Sequence, residues 1–190
     1  MRTESEFLVD VLSRLNRASV DYMLTGSMAS NFWGIPRTTH DLDFVLVLQS
    51  HQVATLVATF EPGFFIQLES VQQAFRAPYQ FKVLDEQSSL KADFWMLRNN
   101  AFERTAFERR LSVELFGVAA WISTAEDVIL HKFHWNRLTA SDRQLGDIAG
   151  VYAVQADSLD FAYLREWAPK LGVQLELESL LNGELKPKTT

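Results

Sequence analysis

The stretch Leu24-Thr25-Gly26-Ser27-Met28-Ala29-Ser30, resumed at Pro36-Arg37-Thr38-Thr39-His40-Asp41-Leu42-Asp43-Phe44, decides how this chain is read. Tyr22-Met23-Leu24 is a short apolar run that stops at Thr25-Gly26-Ser27, and Met28 to Trp33 has the content of a helix starting there. Gly34-Ile35-Pro36 ends it, because proline and the residue before it resist helix. Leu42 to Leu48 reads as a buried strand by its length and its branched and aromatic content. Asp41 and Asp43 stand two apart at the mouth of that strand. A strand rises ~3.3 Å per residue and alternates faces, so both carboxylates point the same way, about 6.6 Å apart at Cα. Two bare carboxylates there repel and are costly to bury. A divalent cation between them removes that cost, and hard oxygen ligands suit Mg2+, which takes one or two carboxylates plus substrate phosphates.

Asp93 has a similar setting inside Leu90-Lys91-Ala92-Asp93-Phe94-Trp95-Met96, where a lone acid in an apolar strand-like run needs a partner. If that strand lies beside 42–48, three carboxylates converge, enough for two metals ~3.5–4 Å apart on a phosphoryl group. Asp85 competes for the third position, but its polar neighbours Glu86-Gln87-Ser88-Ser89 suggest a solvated loop. Gly26 lets a backbone approach a phosphate, and the helix after Ser27 offers free N–H groups with a favourable dipole. The plainer reading of the pair is a turn glycine and a helix-capping serine. Arg37, four residues before Asp41, is either a fork donor for phosphate oxygens or a surface residue.

Outward from this stretch, Phe7, Leu8, Val11, Leu12 and Leu15 fall at helical spacing, which predicts an amphipathic helix over 5–18. Helices are expected over 53–60 and 69–76, a short strand over 64–66, and strands over 79–84 and 90–97 joined as a hairpin. A helical stretch near 101–108 precedes Leu111 to Trp121, one strand or a bent pair broken at Gly117. Ser123-Thr124-Ala125-Glu126 is a capping-box pattern, and from 124 to 182 the chain reads as helical, with breaks at 139–142, 156–159 and 169–173. The expected organisation is therefore a core over 1–122, a helical region over 123–182 and a flexible tail over 183–190. The fold class is α/β (α+β), a mixed sheet flanked by helices and followed by helices.

The chain has 190 residues, 47% of them hydrophobic and 22% charged, enough apolar mass for a core and too much for a disordered chain. Fourteen phenylalanines and five tryptophans are expected to fill a core between sheet and helices. The formal net charge of -6 argues against a broad electrostatic grip on nucleic acid. With no cysteine, disulfides and thiolate metal sites are excluded. No apolar run reaches the ~18 residues that span a bilayer, and the acidic start lacks the basic region of a signal peptide. No membrane partner and a cytoplasmic location are expected.

Together, Gly-Ser, a short helix, Arg-x-Thr, Asp-x-Asp on a strand and a later strand Asp resemble the DNA polymerase beta-type nucleotidyltransferase superfamily. More narrowly, Gly-Ser-x-Ala followed by Gly-x-Pro-Arg-Thr-Thr-x-Asp-Leu-Asp is similar to small bacterial proteins related to AbiEii-type abortive-infection toxins. The resemblance covers residues 20–150. It implies a nucleotidyltransferase fold in which Asp41, Asp43 and Asp93 hold the metals, with Asp93 also helping to activate an acceptor hydroxyl. It implies that Gly26 and Ser27 hold the triphosphate with Arg37 near it. Glu126 to Lys132 is similar to the family's helix bearing a lysine toward the nucleotide, which assigns Lys132 to the catalytic set. Arg143-Gln144-Leu145-Gly146-Asp147-Ile148 looks like its Arg-Asp-Leu-x-Asp-Ile segment, with Gln144 in place of the first Asp and Asp147 matching.

The expected activity is transfer of an NMP from a Mg2+-bound NTP, with Mn2+ as an alternative ion, to a hydroxyl on RNA (such as tRNA) or protein. The resemblance extends this to a toxin with a cognate antitoxin as partner. A catalytically silent nucleotide- or partner-binding module is the alternative, and a sugar-nucleotide transferase a third reading. Lys132 could instead snorkel past the core edge. His131 and His134 read as structural, His40 as a neighbour of the chemistry, and Arg104, Arg109 and Arg110 as a solvated charged face.

Overall fold

A computed structural model describes residues 2–185; the last five positions of the expected flexible tail lie outside the described residues. In chain order the elements are α1 (Glu4–Ala18), β1 (Asp21–Thr25), α2 (Gly26–Trp33), β2 (Asp41–Val47), α3 (Val53–Phe60), β3 (Phe64–Phe65), α4 (Leu68–Gln73), β4 (Gln80–Asp85) and β5 (Lys91–Met96). They continue with α5 (Ala101–Glu108), β6 (Leu111–Leu115), β7 (Val118–Ile122), α6 (Ala125–Leu138), α7 (Asp142–Gln155), α8 (Phe161–Leu171) and α9 (Gln174–Leu181). The fold class is that read from the sequence, a mixed sheet flanked by helices and followed by helices. The described residues form two compact units, one of 2–25 with 38–122 and one of 26–37 with 123–185. The segment 26–37, which the sequence reading counted with 1–122, thus groups with the later helices.

The first unit is built on a seven-stranded sheet of order β3-β4-β5-β2-β1-β7-β6. β2 runs antiparallel to β1 and parallel to β5, and β4–β5 and β6–β7 are antiparallel hairpins. Gly117, with Phe116 before it, takes positive φ (80° and 49°), the two-residue turn that resolves 111–121 into a pair. Side chains alternate across the sheet. On one face Phe81, Phe94 and Phe44 stand opposite one another in register, and their rings stack at 5.0 and 5.3 Å. Phe60 of α3 meets Phe94 edge-on at 5.8 Å, and the apolar stripe of α1 brings Phe7 against Phe64. On the other face Met23, Val45 and Phe107 of α5 form a small apolar cluster.

Asp85 is corrected by this alternation. It ends β4 in phase with Phe81 and Val83, so it faces the core rather than solvent. There it accepts from Arg2 at 2.7 Å and from the Ser88 hydroxyl. Arg2 also pairs with Asp10, and Arg14 pairs with Asp10 from the next turn of α1.

The second unit packs α2 against α6 and α7, and α8 against α6 and α9. The backbone at Gly34 approaches so closely that a Cβ would lie 2.6 Å from the Val151 nitrogen. The Trp33 indole donates to the Ser123 carbonyl at 2.7 Å, and Gln155 donates to the Trp33 carbonyl at 2.9 Å. The cap of α6 is Thr124, whose hydroxyl accepts from the Asp127 N–H. The expected Ser123–Glu126 box is therefore displaced by one residue, and Glu126 instead accepts from the Asp160 N–H. α8 runs through Pro169 and stops at Gly172 (φ 70°), where a left-handed residue turns the chain out of the helix.

Phe94 sits at the centre of the aromatic cluster and is 1% exposed. Phe94→Ala is expected to cost about 3–5 kcal/mol of unfolding free energy. Urea denaturation followed by fluorescence checks this; a loss below about 1 kcal/mol contradicts the assigned core.

Candidate functional site

The face of the sheet opposite the aromatic stack carries the acids. β2 and β5 pair in parallel with Asp41 opposite Lys91 and Asp43 opposite Asp93, and β4 adds Lys82 opposite Asp93. One row across the strands therefore reads Thr25-Asp43-Asp93-Lys82, and the next reads Asp41-Lys91-Leu84. Strands lie about 4.8 Å apart, so Asp41, Asp43 and Asp93 converge on one patch, as the sequence reading required. β2 begins at Asp41 rather than Leu42, which brings both acids into the strand's alternation.

Asp93 is the most enclosed of the three, at 8% exposure. Its Oδ2 accepts from Lys82 at 3.0 Å and lies 3.8 Å from the Lys91 ammonium. Lys91 also reaches Asp41 Oδ2 at 3.3 Å. Burial works against the charge on Lys91, but Asp93, Asp41 and Asp43 together raise its pKa above the ordinary lysine value. The second oxygen of Asp93, Oδ1, is buried without a hydrogen-bond partner. A buried acceptor left unmade is costly, and a hard cation would satisfy it. Oxygen donors of this kind are the type that Mg2+ or Mn2+ takes. Among the described residues, no three His, Cys, Asp or Glu side chains stand as a ready group for a metal ion. Lys82 and Lys91 are the residues that sequence reasoning missed. Lys91, two before Asp93, shares its face by strand period alone, whereas Lys82 is placed by cross-strand register.

In the second unit a different cluster forms around Asp147. Arg37 makes a fork onto this carboxylate, Nε at 2.6 Å and Nη2 at 2.8 Å, and donates from Nη2 to the Ser27 hydroxyl at 2.7 Å. Lys132 donates to Asp147 Oδ2 at 2.8 Å. Ser27, Arg37, Lys132 and Asp147 are thus brought together, and Asp147 orients both cations. Lys132 ends in a buried ion pair, which excludes the snorkelling alternative. Burial pushes the Asp147 carboxyl up, but Arg37 and Lys132 outweigh it and hold its pKa below the ordinary range. The same fork raises the pKa of Arg37. Gly26 opens α2 with φ of 62°, a left-handed conformation in which a side chain costs about 1–2 kcal/mol.

Other candidates stand apart. His40 is exposed and lies 3.3 Å from Glu4. His131 is buried, with Nδ1 on the Asp127 carbonyl. Arg110 stacks on Phe107 and Trp121 and pairs with Asp21, while Arg104 donates to Asn99.

In fold, the chain is similar to nucleotidyltransferase-like structures. An antigenic nucleotidyltransferase-like protein from Paracoccidioides brasiliensis superposes with a TM-score of 0.55 over 98% of this chain and 94% of its own, at 14% identity. ANT(2'')-Ia in complex with adenylyl-2''-tobramycin gives 0.59 over 92% and 99%, at 12% identity. The solution structure of the antibiotic-resistance factor ANT(2'')-Ia gives 0.54 over 95% and 94%, also at 12%. At these identities the likeness is one of fold. No family model and no curated protein matches the sequence. Among the described residues, no helix is long and apolar enough to cross a membrane.

Removing the Asp147 charge takes away the carboxylate that Arg37 and Lys132 share. Asp147→Asn is expected to destabilise the protein by about 3 kcal/mol, the low end for a buried pair because Arg37 keeps a quarter of its side chain in water. The lowered pKa of Asp147 adds stability that is present above about pH 4 and is lost as pH falls through the native value. Thermal melts between pH 7 and pH 3 should therefore show a steeper loss below pH 4 for wild type than for Asp147→Asn. Parallel pH profiles contradict this account.

Proposed function

We propose that this chain is a metal-dependent nucleotidyltransferase that transfers an NMP from a Mg2+-bound NTP to a hydroxyl group. The observation that carries the reading is the convergence of Asp41, Asp43 and Asp93 on one sheet face, with Asp93 Oδ1 buried and unpaired. The likeness in fold to nucleotidyltransferase-like structures supports it, as does the neighbour bound to adenylyl-2''-tobramycin, an adenylyl group carried on a small molecule. The acceptor class we propose is RNA or protein. The motif resemblance to AbiEii-related proteins extends this to a toxin held in check by an antitoxin.

Asp41, Asp43 and Asp93 are the residues that would hold Mg2+ or Mn2+. The ion supplies charge neutralisation and Lewis acidity on the phosphates when bound. The acceptor hydroxyl gives up its proton at the Asp93 carboxylate, and its oxygen forms a new bond to the α-phosphorus. The bond from that phosphorus to the bridging oxygen breaks, and the electron pair leaves on pyrophosphate. Most of the rate then comes from orientation and electrostatic stabilisation rather than covalent catalysis. In the second unit, Ser27 and Arg37 are proposed as phosphate ligands, with Gly26 keeping the backbone bare. There Lys132 adds positive charge, and Asp147 positions both cations.

The test is label transfer from each α-phosphate-labelled NTP, with Mg2+, into cell extract. Wild type is expected to label an acceptor, and Asp43→Ala to retain less than a tenth of that activity while melting cooperatively. Label removed by ribonuclease identifies an RNA acceptor, and label removed by protease a protein acceptor. Activity of Asp43→Ala above a tenth of wild type overturns the assignment. No label from any nucleotide favours the silent binding module.

A further inference from the structure

The two edges of the sheet are finished differently. At one end β3 is two residues long, too short to offer a template for another strand. At the other end β6, Leu111-Ser112-Val113-Glu114-Leu115, is five residues long and, among the described residues, pairs on one side only, with β7. It holds no proline and no lysine, the residues that commonly blunt an edge. The register with β7 fixes which of its backbone groups are spent. Leu115 stands opposite Val118 across the two-residue turn, so Leu115, Val113 and Leu111 exchange hydrogen bonds with Val118, Ala120 and Ile122. Antiparallel pairs alternate, so the N–H and C=O groups of Ser112 and Glu114 point away from β7, toward the open side. The side chains divide in the same way. Leu111, Val113 and Leu115 lie on the face of the buried Ala120 and Ile122, yet Leu111 is 43% exposed and the other two are only half-buried. Ser112 and Glu114 lie on the opposite face and are exposed.

This strand is complementary to itself. A two-fold axis through Val113 sets Ser112 opposite Glu114 of a second copy, a hydrogen-bonded pair built from the groups that β7 leaves unspent. On the core face Val113 then meets Val113 and Leu111 meets Leu115, while the charged Glu114 meets an uncharged serine. A slip of two residues toward the turn would put Glu114 opposite Glu114, like charges face to face. A slip of two the other way leaves only 111–113 of the strand paired, and a slip of one turns the outward groups out of phase. We propose that β6 is the interface through which two copies of this chain associate, antiparallel and centred on Val113, into one continuous sheet. A single strand pair is small beside the ~1,200–2,000 Å2 of stable complexes, so the association depends on concentration.

The test is sedimentation of the full chain over a concentration series, together with single cysteines placed in a chain that has none of its own. The weight-average mass is expected to rise from one chain toward two. Val113 pairs with itself at a non-hydrogen-bonded position, where Cα atoms lie ~4.5 Å apart and within disulfide reach. Val113→Cys is therefore expected to oxidise to a covalent dimer at least tenfold faster than Ser112→Cys or Glu114→Cys. Ser112→Pro removes an outward N–H that β7 does not use, and is expected to weaken association at least tenfold while β6 and β7 stay paired. If Ser112→Pro fails to fold, the ordering of the three cysteine rates decides by itself. A single-chain mass into the millimolar range overturns the proposal, as does a dimer that Ser112→Pro leaves unchanged, or a Val113→Cys rate equal to the other two. A single-chain mass with the Ser112 and Glu114 amides protected from hydrogen exchange means that the chain covers its own edge, and overturns it likewise.

Discussion

The parallel register between β2 and β5 is the constraint on which the sheet unit depends. Phe44 opposite Phe94 on one face and Asp43 opposite Asp93 on the other are two expressions of the same alignment. A strand has a period of two, so a slip of one residue would turn acids into the aromatic core and phenylalanines outward. The stacked rings of Phe81, Phe94 and Phe44 therefore do more than fill volume. By making every other register unfavourable, they hold the carboxylates in one row. Packing on one face is what permits like charges to be crowded on the other.

The two units hold buried charge by different geometries. In the helical unit one carboxylate, Asp147, is clasped by both Arg37 and Lys132. In the sheet unit one lysine, Lys91, reaches both Asp41 and Asp93, and Lys82 holds Asp93 from the next strand. Under the aromatic stack a third arrangement chains Asp85, Arg2, Asp10 and Arg14, acid and base alternating.

Much of this was legible in the chain because it depends on local periodicity. Asp41 and Asp43 could be placed on one face from the strand period alone, and the hairpins from their polar breaks and Gly117. Asp85 was misread because its sequence neighbours are polar while its partner, Arg2, is 83 residues away. Strand phase with Phe81 and Val83 was the local signal that outweighed those neighbours. Lys91 was readable by the same rule, since it stands two before Asp93, but a lysine at a strand start is ordinary and draws no notice. Lys82 becomes visible only with the antiparallel register of β4 and β5. The grouping of α2 with α6 and α7 is likewise a long-range fact, carried by contacts such as that of Trp33 with Ser123.

That last contact joins residues 90 positions apart, and it bears on how the chain is made. A ribosome adds about 5–20 residues per second, so α2 emerges roughly 5–20 s before the helices that cover it. During that interval Ala29 and Ser30, the buried residues of α2, and the Trp33 indole lack their native surroundings, while the strands on either side can already pair. The nascent chain must therefore hold an unpaired aromatic helix through the synthesis of an entire sheet.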